Sequence, residues 1–391
     1  MTAARPAEAG EPEPDGAGAT NRQIRIGVVG TSWWADAMYL PAISRHPLSD
    51  IRGVVGTRLA HTREFADRWS VPGAFSSLDE MLAAEPLDAV LILAPNRQHH
   101  PLTMTALQSG LHVLCEKPLG FDSRQVREMA DTAAAAGLVT LCPFTYRFMP
   151  VNRYVKELVD EGYVGQPYHL NLRYFAGYAR NGDYMWRFDL GEAGAGVAGD
   201  LGSHWIDLAR WWFGEIAAVT AVFGHALERA PRPDGAPYAQ AEDSAMVLLE
   251  FVNGATGSIH MSAVAHEPTA FGQLHQVELH GSEGTLHATC DWDDVQRVDG
   301  ARRGEGAIHE LAIPDRIFDG ARRSPVVATY KDTFRDHDVM ARGFISAIAG
   351  GTRAIPDFRD GLAVQRVVDA AGRSARDGRR IEIAEVIADE G

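Results

Sequence analysis

Residues 24–35 read Ile-Arg-Ile-Gly-Val-Val-Gly-Thr-Ser-Trp-Trp-Ala, a short apolar run that ends in a glycine turn and leads into a helix-like segment. Strand, tight turn and helix in that order make a βα unit, from which parallel sheets are built. The pattern then repeats. Strand-like runs follow at 51–56, 89–94, 112–115 and 139–142, with helical patterns between them at 62–69, 77–84, 101–109 and 123–136. Apolar runs alternating with helices predict a doubly wound parallel α/β sheet.

Beyond Pro150 the rhythm changes. A helix over 152–161 precedes longer alternating strand patterns at 168–175, 217–224, 245–251, 255–263 and 273–280. Strand runs without intervening helices argue for a mostly antiparallel sheet, hence a second domain of α+β type. The expected boundary lies near 144–147, giving a first domain over 22–145 and a second over 146–391. Two polar stretches, 228–240 and 299–324, read as loops. Near the end, 362–376 reads as a helix and 379–383 as a short strand.

A length of 391 residues suits two domains, at roughly 100–200 residues each. The formal charge of −15 disfavours nucleic acid and anionic membrane surfaces as partners. Cys115, Cys142 and Cys290 lack metal-type spacing and form no disulfide framework, and the histidines after residue 224 show no ligand pattern; no metal site is expected. No apolar run approaches the roughly 18 residues of a membrane span, and no basic-then-apolar signal opens the chain. These features predict a reduced, cytoplasmic protein. Residues 1–21, rich in Ala, Pro, Gly and acids, read as a disordered tail.

Dinucleotide-binding βα turns carry G-x-G-x-x-G/A, whose glycines admit a tight turn and close approach of a pyrophosphate to the helix amino end. Here the pattern is Gly30-x-Ser32-x-x-Ala35, with serine in place of the second glycine. A degenerate fingerprint and an ordinary tight βα connection both fit it. The candidate contacts are Gly30, Thr31, Ser32, Trp33 and Trp34. NAD sites place a carboxylate for the adenosine ribose at the end of the second strand. This chain has Gly56-Thr57-Arg58 there. A neutral hydroxyl and a cation remove the repulsion of a 2′-phosphate and supply a partner for it, so Thr57 and Arg58 predict NADP, with NAD as the alternative.

A second functional stretch is Leu111–Gly120, Leu-His-Val-Leu-Cys-Glu-Lys-Pro-Leu-Gly. Its strand ends in Glu116 and Lys117, pinned by Pro118, at the strand end where open α/β sheets hold ligands. Far along the chain, after a glycine-rich run, Asp200, His204, Asp207 and Trp211 recur on one helical face beside an apolar stripe. The stripe would fix the helix and aim Asp200 and His204 into a cleft. A capping aspartate paired with a surface histidine has the same spacing.

Taken in order, Pro95-Asn96-x-x-His99, Cys115-Glu116-Lys117-Pro118 and Asp200-x-Gly202-x-His204-x-x-Asp207 resemble the Gfo/Idh/MocA family of oxidoreductases. The resemblance runs from about residue 24 to 383 and includes Tyr146-Arg147-Phe148, Trp186-Arg187 and Asp360-Gly361. It implies a Rossmann domain followed by an open-faced sheet domain, with the nicotinamide in the cleft between them. It also implies that Lys117, Asp200 and His204 are catalytic, and that Pro95, Asn96, His99 and Glu116 lie at the cofactor together with Lys117. The family often has a cis bond before the proline of Glu-Lys-Pro, here Lys117–Pro118. Self-association through the open sheet, as a dimer or tetramer, is a further implication.

The residue types agree with this chemistry. Oxidising a secondary alcohol needs a base for the hydroxyl proton, and histidine titrates near working pH. His204 is the expected base, Lys117 would stabilise the developing alkoxide, and Asp200 would orient the imidazole or contact substrate; in the family that the chain resembles either Lys117 or His204 moves the proton, and the sequence leaves both open. The expected function is hydride transfer between NAD(P) and a secondary alcohol or ketone of a sugar, cyclitol or related polyol. Two alternatives share the fold: an NAD-dependent glycoside-cleaving enzyme that oxidises only transiently, and a dinucleotide-binding sensor without catalysis. Arg147, Tyr184 and Trp186, at the domain junction or in the long loop before the glycines, are the expected substrate contacts.

Overall fold

The computed structural model describes residues 22–267 and 272–390; the expected tail, 1–21, lies outside them. Among the described residues the first sheet comprises β1 (Ile24–Val29), β2 (Ser49–Val55), β3 (Gly73–Phe75), β4 (Ala89–Ile92), β5 (His112–Cys115) and β6 (Thr140–Leu141). They run parallel in the order β3-β2-β1-β4-β5-β6. The winding reverses between β1 and β4, which opens a crevice at their carboxyl ends. Helices Leu59–Trp69, Leu78–Ala84, His99–Gln108 and Ser123–Ala135 lie between the strands, close to where periodicity put them.

The helix after the glycine turn is irregular: Ala35–Tyr39 is π-helical and Leu40–Ile43 α-helical. Pro41 has no N–H to offer the Ala37 carbonyl one turn earlier. Arg335 donates to that oxygen from elsewhere in the chain, its Nε lying 2.8 Å away. The arginine belongs to helix Val326–Asp336, whose Phe334 ring packs 5.8 Å from Trp34 and 5.0 Å from Tyr39. This helix and the next, Met340–Gly350, therefore return from late in the chain to the first sheet.

The second sheet contains β7 (Pro167–Ala176), β8 (Ile216–Gly224), β9 (Ser244–Phe251), β10 (Thr256–Ser262), β11 (Gln273–Gly281), β12 (Gly284–Asp291), β13 (Gln296–Arg302), β14 (His309–Glu310) and β15 (Ile381–Glu382). Their order is β14-β13-β12-β11-β7-β10-β9-β8-β15. Neighbours are antiparallel except β7 and β10, which run parallel. Residues 299–324, expected as a loop, begin inside β13 and hold β14 and the short helix Asp315–Phe318. Charged residues punctuate this outer part of the sheet (Arg297, Asp299, Arg302), as on many sheet edges, and mask the strand signal. Along β9 every second residue is buried, so one face packs inward and the other stays open. Helix Gly202–Phe213 covers the inner face with Trp205 fully buried.

Arg147, expected as a substrate contact, is engaged by two carboxylates. Its Nε and Nη2 donate to the two Asp207 oxygens at 2.7 and 2.6 Å, and Nη2 reaches Asp360 at 3.2 Å. The guanidinium thus ties the connection between the two sheets to helix Gly202–Phe213 and to the start of helix Phe358–Asp377. No helix of the described residues is long and apolar enough to cross a membrane, and none of their His, Cys, Asp and Glu groups gathers in threes fit for a metal. Replacing Arg147 by methionine leaves Asp207 as an uncompensated buried charge. The expected loss is about 3–5 kcal/mol, read as a lowered midpoint of urea unfolding; an unchanged midpoint would contradict this role.

Candidate active site

The crevice at the end of β1 begins with Gly30, whose φ of +120° is left-handed and whose added Cβ would lie 2.5 Å from the Leu93 carbonyl oxygen. Only glycine fits so close to the β4 end. Ser32 places its Oγ 3.4 Å from the Ala35 amide, and the Thr31 carbonyl faces His61 Nε2 at 3.3 Å. Thr57 and Arg58 are exposed at the β2 end, where Arg58 precedes helix Leu59–Trp69. A cradle that tolerates no side chain, an exposed guanidinium at the β2 end and a helix start beside it fit a dinucleotide.

Glu116 organises the next layer. Its Oε1 accepts from Trp34 Nε1 at 2.8 Å and from the Tyr39 hydroxyl at 2.7 Å, while its Oε2 accepts from the Lys117 amide at 3.1 Å. Trp34 therefore serves the sequence's Glu-Lys-Pro element, while Trp33 is 72% exposed and stands edge-on to it. The Lys117–Pro118 bond is cis. His99 lies buried beneath, its Nδ1 2.7 Å from the Pro118 carbonyl oxygen and its Nε2 2.8 Å from that of Ala94. Asn96 donates across the cleft to the Ala193 carbonyl at 3.1 Å.

These groups line a cleft of about 550 Å³ that also receives Asp200, His204 and Trp186. Lys117 Nζ donates to Asp200 Oδ1 at 3.0 Å and to the Asp200 carbonyl at 2.8 Å. The Tyr178 hydroxyl donates to Oδ2 at 2.8 Å, and Arg187 Nε stands 3.6 Å from it. Burial alone would push the Asp200 carboxyl up; Lys117, Arg187 and Tyr178 outweigh it and hold the pKa well below the usual carboxylate range.

Asp200 does not orient His204. The helix breaks at Leu201, between Val197–Asp200 and Gly202–Phe213, and the aspartate turns to Lys117 and Tyr178. His204 Nδ1 is buried without a hydrogen-bond partner, which leaves Nε2 as the nitrogen presented to the cleft. The ring is held instead by packing, 4.3 Å from Tyr146 with the planes 31° apart. Burial first, and Lys117 second, pull its pKa well below the ordinary imidazole value.

Of the expected substrate contacts, Trp186 lines the cleft, whereas Arg147 and Tyr184 do not. Tyr184 is engaged elsewhere, donating to Asp189 at 3.2 Å. Tyr146, Tyr174, Tyr178, Gln273 and Tyr330 also line the wall. A partial signal was available for Tyr174, which shares the inward parity of Leu170 and Leu172 on β7.

A family model described as an oxidoreductase family with an NAD-binding Rossmann fold matches residues 24–143, and a GFO/IDH/MocA C-terminal domain model matches residues 152–287. Levoglucosan dehydrogenase of Pseudarthrobacter phenanthrenivorans is 27% identical over 346 residues, covering 83% of this chain and 87% of the relative. Inositol 2-dehydrogenase of Rhizobium meliloti is 27% identical over 324 residues, covering 81% and 88%. Among solved structures, a levoglucosan dehydrogenase in complex with NADH and levoglucosan superposes with a TM-score of 0.80 at 24% identity, covering 93% of this chain and all of that one.

A neutral His204 has a direct check. Its ¹⁵N resonances are expected to stay those of an uncharged imidazole down through pH 6; titration near 6.5 would show that the ring gains a counter-charge absent from this geometry.

Proposed function

The chain belongs to the Gfo/Idh/MocA family of oxidoreductases, and we propose that it transfers a hydride between a nicotinamide cofactor and a secondary alcohol or ketone of a sugar, cyclitol or related polyol. The observation that carries this reading is the 3.0 Å bond from Lys117 to Asp200, made across a cleft whose lining includes Ser32, Trp33 and Trp34 of the turn that follows Gly30. In this reading the turn Gly30–Trp34, with Thr57, Arg58, Pro95, Asn96, His99 and Glu116, holds the cofactor. When bound, the nicotinamide supplies the hydride donor or acceptor.

The protein groups manage the proton. Lys117 Nζ, kept in place by Asp200 and by the Glu116 contact to its own amide, gives a proton to the substrate oxygen in reduction and takes it back in oxidation. His204 Nε2 hydrogen-bonds the same oxygen while the ring stays neutral, because an imidazolium there would bury Nδ1–H without an acceptor. Asp200 balances the lysine charge. Relatives carry names that suit this class: levoglucosan dehydrogenase, D-glucoside 3-dehydrogenase of Escherichia coli and inositol 2-dehydrogenase.

The cofactor preference we infer is NADP, since residues 56–58 present a hydroxyl and a guanidinium and no carboxylate. A solved relative holds NADH, so the assay must compare both. Purified protein, a panel containing levoglucosan, myo-inositol and D-glucose, and each oxidised cofactor are followed at the near-ultraviolet band of the reduced nicotinamide. Stoichiometric reduction is expected, with the lower KM for NADP; Lys117→Met is expected to lower kcat by roughly 10²–10⁴. Turnover without net cofactor change, or with Lys117→Met unimpaired, would overturn the reading, and a lower KM for NAD would overturn the preference.

The partner we propose for the open sheet face is a second copy of the chain. Val222, Met246 and Leu248 are 69%, 51% and 55% exposed on β8 and β9, and Val222 and Met246 are paired in register. Light scattering at micromolar concentration is expected to give a dimer or larger, and Met246→Glu with Leu248→Glu to shift it toward monomer; a monomeric parent protein would refute the assignment.

A further inference from the structure

The cleft floor holds a polar chain that the proton chemistry above does not use. Gln273 Nε2 lies 3.2 Å from the Tyr146 hydroxyl and 2.8 Å from His275 Nε2, and the Tyr146 and Tyr174 hydroxyls are 2.7 Å apart. Tyr146, Tyr174 and Gln273 all line the cleft, and His275 is buried behind them. An amide nitrogen can only donate. Gln273 therefore gives one N–H to the Tyr146 oxygen and the other to His275 Nε2. The histidine can accept because burial pulls its pKa down to about 3, which keeps the ring neutral, with its proton on Nδ1.

The direction then propagates. Tyr146, having accepted from Gln273, has its own O–H left to give, and the Tyr174 oxygen is its near neighbour. Chains of hydroxyls polarised in one sense reinforce each other. Tyr174 has no hydroxyl, amide or carboxylate other than Tyr146 bonded to it among the described residues, so with Tyr146 as the donor its proton is left for the cleft. Burial pushes the pKa of both phenols well above the ordinary value, which keeps them as donors.

We propose that Tyr174 is a substrate-contacting residue whose O–H is directed into the cleft by the relay Gln273 to Tyr146 to Tyr174, where it donates to an oxygen of a polyhydroxylated ligand. The inference rests on the proposed function for the identity of that ligand. Gln273, Tyr146 and His275 are positioning residues: they set which way the Tyr174 hydroxyl points. The floor thus offers a fixed donor beside Lys117 and His204, and selects a substrate that presents an acceptor oxygen away from the reacting carbon. Tyr146 also carries the His204 ring, so the same residue places the imidazole and orders the relay.

Neutron diffraction from crystals of the full chain grown in D₂O reads the relay without any substrate. The Tyr146 deuteron is expected on the line to Tyr174 and the Tyr174 deuteron off that line, toward the cleft. A Tyr174 deuteron lying on the line to Tyr146 overturns the proposal. In Gln273→Glu the carboxylate can only accept, so the order is expected to reverse, with Tyr174 donating to Tyr146. With levoglucosan and myo-inositol as probes, Tyr174→Phe is expected to raise KM about 3–10-fold and to change kcat less than about twofold, as for loss of one neutral hydrogen bond. An unchanged KM on a sugar that the parent protein turns over also overturns it. If the parent protein turns over neither sugar, the proposed function fails on these probes, and the deuteron positions still decide the relay.

Discussion

Everything at the cleft depends on Lys117 and Asp200 meeting. The lysine stands at the end of β5 and the aspartate just before helix Gly202–Phe213, 83 positions later. Such a pair contributes little net stability, since removing both charges from water offsets most of their attraction. Its consequence is placement. Each partner is held from behind: the lysine amide by Glu116, which Trp34 and Tyr39 hold in turn, and the aspartate by Tyr178. The bond therefore registers the parallel sheet against the antiparallel one at the atoms where proton transfer is proposed.

Much of the architecture was legible because it is local. The run from Ile24 to Ala35 declares strand, turn and helix, and β5 spans the residues that its apolar pattern picked out. Lys117, Asp200 and His204 were marked locally by a strand end and a helical spacing, but only the family resemblance implied that they share one site; the structure brings them to one cleft. Two expectations turn out otherwise, for different reasons. Arg147 stands beside the domain junction, and nothing in its neighbourhood reveals that Asp207, 60 positions away, occupies it. The expected Asp200–His204 contact assumed an unbroken helix, and the break at Leu201 turned the two side chains to different partners.

The aromatic floor shows the limit most clearly. Tyr174 and Gln273 are neighbours only because β7 pairs with β11, and that pairing is a property of sheet order rather than of spacing along the chain. Tyr146 arrives from the connection between the domains and Tyr330 from a helix that the sequence reading did not assign. Each is an ordinary core aromatic in sequence. Only the meeting of four elements makes them the wall of a cleft.

The proline at position 41 has a consequence in time. It has no N–H for the Ala37 carbonyl one turn back, and Arg335 donates to that oxygen from late in the chain. The turn and helix of the dinucleotide cradle are thus translated first and finished near the end. A nascent chain that has emerged only through β6 carries a Rossmann sheet whose Trp34 and Tyr39 lack their packing against Phe334. The rings of Trp34 and Tyr39 thus get their apolar cover from a helix encoded about 300 residues later.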